Sequence, residues 1–164
     1  MTGSRQILIF GGMACAVVGM LSGLQYALFT EHQTLDQMGG SLAQSFASAA
    51  TRNVEQSNAA LEQYGKTKYD YVRQVDAHSH WIGLGMLMIV LGVIFGRVNF
   101  SEGLRQVVAL SMLAGSALFP LAVLLQTYHH DSGLWKALAV AGPGLIIAAL
   151  ATTAWGFSRP RTAA

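Results

Sequence analysis

Four long apolar blocks, at residues 7–29, 81–95, 104–128 and 134–157, dominate this chain of 164 residues. Three of them exceed the roughly 20 residues needed to cross a hydrocarbon core of about 30 Å. Composition agrees: 52% of residues are hydrophobic and 11% charged, against about 25% charged in a soluble domain. The expected fold is all-α, an integral membrane four-helix bundle forming one membrane domain over residues 1–164. Transmembrane helices are expected at 6–29, 78–97, 104–128 and 134–157, with an outer segment at 30–77.

The second block has only 15 residues, which at about 1.5 Å per residue falls short of the core thickness. To span, it must recruit its flanks. Arg97 can snorkel at one end, and the turn holding His78 and His80 must enter the interfacial layer at the other.

Orientation follows from the basic residues. Arg5, Arg97, Arg105, Arg159 and Arg161 flank the N-terminus, the loop between spans two and three, and the C-terminus, against one acid, Glu102. Residues 30–77 carry four basic and six acidic groups, and residues 129–133 carry no Lys or Arg. Both termini are therefore expected in the cytoplasm, with the chain multi-pass in the cell (inner) membrane. The net charge of +2 reflects this bias and gives no support for nucleic-acid binding. The first block is too long for a cleaved signal peptide and no small-x-small site ends it cleanly. Cys15 follows no convincing lipobox, and no C-x-x-C-H run is present for covalent haem; Cys15 reads as a small packing residue.

Cys15, Gly19 and Gly23 lie four apart in the first span, and Gly85, Gly92 and Gly96 recur in the second. Such small-residue faces let helices approach closely in lipid, within a bundle or between protomers. Pro120 and Pro143 should kink or loosen spans three and four. In the outer segment, Leu42, Phe46, Ala49, Ala50, Val54, Leu61 and Tyr64 recur at roughly helical spacing, and Gly39-Gly40 and Gly65 bracket them. One amphipathic extracytoplasmic helix over 41–64 is expected, lying on the bundle mouth or the lipid surface as a structural cap. Tyr69 and Tyr71 suit the membrane–water interface. The chain has no internal repeat, P-loop, nucleophile elbow or paired catalytic carboxylates.

The topology brings all five histidines, His32, His78, His80, His129 and His130, to the outer level. Neutral imidazole ligates haem iron, copper or zinc. Residues two apart on a helix point about 200° from each other, so His78 and His80 cannot both face one metal in a regular helix. A single axial ligand fits better than a chelate, and adjacent His129-His130 likewise offers one side chain inward. A zinc or copper site from His78, His80 and His129 or His130 stays open, as does the plain reading of interfacial polar residues. Met20, Met86, Met88 and Met112 lie inside spans and read as gap-fillers.

Ala77-His78-Ser79, followed after five residues by Gly85-Met86, resembles the start of the second span in styrene oxide isomerases, small membrane enzymes with four transmembrane helices. Phe100-Ser101-Glu102 is similar to a Phe-small-acid turn in their inner loop, and the fourth span, with its proline near the start, is similar in texture. The resemblance covers about half the chain. It implies haem b at the interface between protomers of a trimer, His78 as its axial ligand, and Gly85 and Met86 nearby. It also implies an isomerase in which iron acts as a Lewis acid on a lipophilic epoxide to give a carbonyl compound. Two positions depart from the family's pattern. Leu84 stands where the family has a substrate-contacting asparagine, and Val123 where it has an active-site tyrosine. His80, Trp81, Gln126 and Tyr128 are the remaining candidates for positioning substrate. Two other classes stay open. One is a bis-histidine haem electron-transfer or quinol-interacting protein, with His129 or His130 as second ligand. The other is a cofactor-free accessory subunit of a membrane complex.

Overall fold

The computed structural model describes residues 2–129 and 132–160; Met1, His130, Asp131 and residues 161–164, Arg161 included, lie outside the described residues. The described chain forms five α-helices: α1 (Gly3–Phe29), α2 (Glu31–Ala50), α3 (Val54–Ile94), α4 (Glu102–Leu125) and α5 (Gly133–Ser158), with a 3₁₀ turn at Phe95–Arg97. Four of them, α1, α3, α4 and α5, are long and apolar enough to cross a membrane. This is the all-α membrane bundle that the apolar blocks require.

Glycine decides how α1 meets α3. They run antiparallel, with Gly12 against Gly85, Gly19 against Trp81 and the His78 carbonyl, and Gly92 against Leu8 and Ile9. A Cβ on Gly85 would stand 2.6 Å from the Gly12 carbonyl oxygen, so any larger residue must push the helices apart. Gly115 and Gly142 bring α4 and α5 together in the same way. The small residues of these seams are thus consumed inside one chain. Helix α3 packs on α1, α2 and α4, and α4 packs on α1, α3 and α5, so that α5 is held chiefly through α4. The buried core, Leu8, Met88, Phe95, Val98, Val108, Ala109, Met112, Ile146 and Ala149, lies toward the end of the bundle opposite the hairpin. Met88 and Met112 fill it as expected, whereas Met20 and Met86 face outward. Pro120 and Pro143 lie inside α4 and α5 without ending either helix.

The helix ends opposite the hairpin are tied by polar groups. Arg5 donates from Nε to the Gly92 carbonyl and from Nη2 to the Val93 carbonyl, both at 3.2 Å. It caps the carbonyl end of α3, where a cation is favoured by the helix dipole. The Ser4 amide at the start of α1 donates to Glu102 Oε1 at 2.9 Å.

The outer segment differs from the expected single helix over 41–64. It is a helical hairpin whose second arm runs on into the second span as one 41-residue helix. The hinge is Thr51-Arg52-Asn53, not the glycines. The Asn53 amide donates to the Ser48 carbonyl and the Arg52 amide to the Ala49 carbonyl, both at 2.9 Å. With Arg52 at φ 60°, this is a Schellman ending whose left-handed position holds arginine where glycine is usual. Asn53 then caps α3, accepting from the Gln56 amide at 3.2 Å. Gly39, Gly40 and Gly65 sit on open helix surface, where each costs about 1 kcal/mol relative to alanine, too little to break a helix held by its neighbour. The buried seam is also not the apolar stripe. Ser41, Ser45 and Ser48 of α2 pack toward Ser57 and Ala60 of α3 while Phe46 is 69% exposed. Ser57 Oγ donates to the Ser45 carbonyl at 3.1 Å.

Candidate functional site

The antiparallel register fixes where His78 sits. Its ring lies against Gly23 of α1, where an added Cβ would be 3.1 Å from the His78 Cδ2. Gly23 is six residues inside the end of α1 at Phe29, or about 9 Å along the axis. His78 Nδ1 lies 3.0 Å from the Gln74 carbonyl oxygen. A carbonyl only accepts, so Nδ1 carries the proton and, in neutral imidazole, Nε2 keeps its lone pair. One turn further on, Ile82 joins Gly19, Met20, Gly23, Leu24 and Ala27 around an apolar groove of about 540 Å³ that opens outward from α1 and α3.

His80 points elsewhere. Its Nδ1 is 2.7 Å from the Asp76 carbonyl oxygen, and its ring stands edge-on to Phe119 of α4 at 4.8 Å between centroids. The two histidines therefore serve opposite sides of α3, as their spacing requires. Trp81 is buried on the α1 side against Gly19. Gln126 is buried at the end of α4, accepting from the Tyr69 hydroxyl at 3.2 Å and donating to the Trp135 carbonyl at 3.4 Å. That makes it a strut between α3, α4 and α5. Tyr128 is 69% exposed. The four residues that the sequence offered for positioning substrate are thus dispersed. Leu84 packs against the core and Val123 is buried; both are taken up in packing.

Gly85 is occupied by the Gly12 contact, and Met86 is 55% exposed on the outer surface of α3. His129 is exposed beyond α4, His130 lies outside the described residues, and His32 is on α2, paired with Asp36 at 3.4 Å. Among the described residues no three His, Cys, Asp or Glu side chains gather as a metal site. What the structure brings together is His78 and its seat on Gly23, with an apolar groove that shares Gly23 but is not lined by the histidine. Sequence reasoning named Gly23 only as a small residue; its pairing with His78 depends on helix register, for which the sequence carries no local signal.

No family model matches the chain, and comparison with curated proteins and with solved structures gives no significant match either.

Proposed function

We propose that this is a haem b-binding integral membrane protein of the styrene oxide isomerase type, with His78 as axial ligand, converting a lipophilic epoxide to a carbonyl compound. The observation that carries the reading is the His78 side chain itself. Its Nδ1–H is held by the Gln74 carbonyl, so Nε2 is oriented and electron-rich, the outer-shell arrangement usual for ligating histidine. What supports the reading is one imidazole seated against a glycine, beside an apolar wall of Met20, Leu24, Ala27 and Ile82. When bound, ferric haem supplies a Lewis acid for the epoxide oxygen. The chain's own residues hold and orient that group through His78, exclude water along the groove, and admit an apolar substrate from the bilayer side.

The groove is a half-site, open on the side away from α1 and α3. A second protomer would close it, in keeping with a homo-trimer. Because the glycine seams are already used within the chain, the protomer interface would use the outward faces of α1 and α3. Both termini lie in the cytoplasm in this reading, with the chain in the cell (inner) membrane and the hairpin outside, following the arginine distribution.

The test is an absorption spectrum of purified protein, oxidised and then dithionite-reduced. A Soret band lost in His78→Ala, with a high-spin ferric form, supports the reading. A low-spin six-coordinate spectrum replaces it with the bis-histidine electron carrier. A colourless protein from iron-replete cells leaves the accessory subunit.

A further inference from the structure

The hairpin of α2 and the first half of α3 is amphipathic as a two-helix unit. Its seam runs through Ser41, Ser45 and Ser48 on α2 and through Ser57, Ala60 and Thr67 on α3, the three-four spacing of a coiled coil. The residue after each seam position turns about 100° from it, and in an antiparallel pair both sets then point to the same side. That side carries Leu35 and Phe46 of α2 and Val54, Leu61 and Val72 of α3, each between 43% and 69% exposed. The residues before the seam positions point the other way and are glutamines, Gln37 and Gln44 on α2 and Gln56 and Gln63 on α3. Lower on the same helix pair, the apolar side holds the groove of Met20, Leu24, Ala27 and Ile82. Helix α4 packs on the opposite side, through Phe119 on His80.

We infer that a second copy of this chain covers the apolar side of the hairpin, hairpin against hairpin, beyond the bilayer. Lipid does not reach it. Helix α3 is a single helix without proline from hairpin to span. About 20 of its residues cross the hydrocarbon, so its hairpin arm continues for about 30 Å outside. A partner must therefore stand equally far from the membrane, and copies held in one bilayer do so at one height. Charge suits a copy. The one charge on the apolar side is Lys68. In the register set by Ser45 and Ser57, whose hydroxyls lie 3.1 Å apart, Lys68 is within about 3 Å of the height of Asp36. Each copy thus meets its neighbour's cation with an acid at the same level. The area is also sufficient. A face about 30 Å tall and two helices wide offers about 600 Å² per copy, about 1,200 Å² for a pair, the lower end of specific interfaces. The inference extends the outward α1–α3 face already given to protomer contact, and it does not rest on haem.

The experiment is cross-linking of the full chain in its native membrane with a short bis-maleimide, read by mass on a denaturing gel. Cys15 is buried, so an introduced thiol is the reactive one. Ala49→Cys, on the apolar side, should give a product of twice the chain mass. Gln44→Cys, equally exposed on the glutamine side, should give severalfold less. Adding Phe46→Arg and Leu61→Arg to Ala49→Cys sets like charges on both facing surfaces and should abolish the product. Both side chains are exposed, so the helical content and thermal midpoint of the purified variant should match those of Ala49→Cys alone. Phe46→Gln with Leu61→Gln, which adds no charge, provides a second weakening should the arginine variant fold poorly. No product from Ala49→Cys, equal product from Gln44→Cys, a product of another mass, or one undiminished by the substitutions in a folded chain would overturn the inference. A colourless protein that still cross-links in this pattern removes the haem reading and leaves this one standing.

Discussion

In the proposed reading the side chain on which most depends is His78, and since His78 and His80 both hold Nδ1 against a carbonyl one turn back, mutation must separate them. Removing the imidazole tests the ligand; filling its seat tests the geometry. Gly23→Leu places carbon where the His78 ring now lies, since even a Cβ would be 3.1 Å from it. The expected outcome is a Soret-to-protein absorbance ratio reduced severalfold in Gly23→Leu and abolished in His78→Ala. His80→Ala, on the α4 side of the same helix, should keep the wild-type ratio. If His80→Ala instead loses the pigment and His78→Ala keeps it, the assignment moves to the other face of α3. The opposition of these histidines was legible from helical periodicity alone, because two residues always turn about 200° on a regular helix. Gly23 was not. Which glycine faces which residue across an interface is set by the register between helices, and nothing in either helix alone encodes it.

At the hairpin, the misplaced boundary has a local cause. The sequence offers three glycines as breakers and none breaks, while the true turn uses Arg52 in the left-handed region and Asn53 as a cap. Turn chemistry read from composition favours glycine there because other residues lose about 1–2 kcal/mol in that conformation. The hairpin bears this cost because both helix ends are satisfied, by two backbone bonds from Arg52 and Asn53 and by the Asn53 side chain. It follows that Arg52→Gly should stabilise the hairpin by about 0.5–1 kcal/mol once the extra freedom of glycine in the unfolded chain is allowed for. Asn53→Ala should destabilise it by about 1 kcal/mol. Amide hydrogen exchange across α2 reads both, with protection rising in the first and falling about fivefold in the second. Unchanged exchange in Asn53→Ala would mean that the hairpin opens elsewhere, at its junction with the bundle. The same structure shows why the apolar stripe misled. Periodicity found Phe46, Val54 and Leu61, but the hairpin closes through serines and alanine, small enough for close approach, and leaves that stripe exposed.

The assembled chain is held by two glycine seams and a belt of polar ties at the ends opposite the hairpin, and the arginines from which an orientation is proposed also carry structure. Arg5 illustrates the double role, as a basic residue flanking the first span and as the cap of α3. Replacing Gly85 with leucine should split α1 from α3, because its Cβ alone would meet the Gly12 carbonyl oxygen at 2.6 Å. The expected loss is about 2 kcal/mol or more, in line with overpacked cores, read as loss of the monodisperse detergent-solubilised species. The orientation has its own test, and the native thiol leaves it clean, since Cys15 is buried within the bundle and should not label. A cysteine at Thr51, in the exposed hairpin turn, should react with a membrane-impermeant maleimide on intact spheroplasts. A cysteine at Ser158, at the far end of α5, should react only after permeabilisation. The reverse pattern would invert the chain and put the hairpin and the His78 level on the cytoplasmic side.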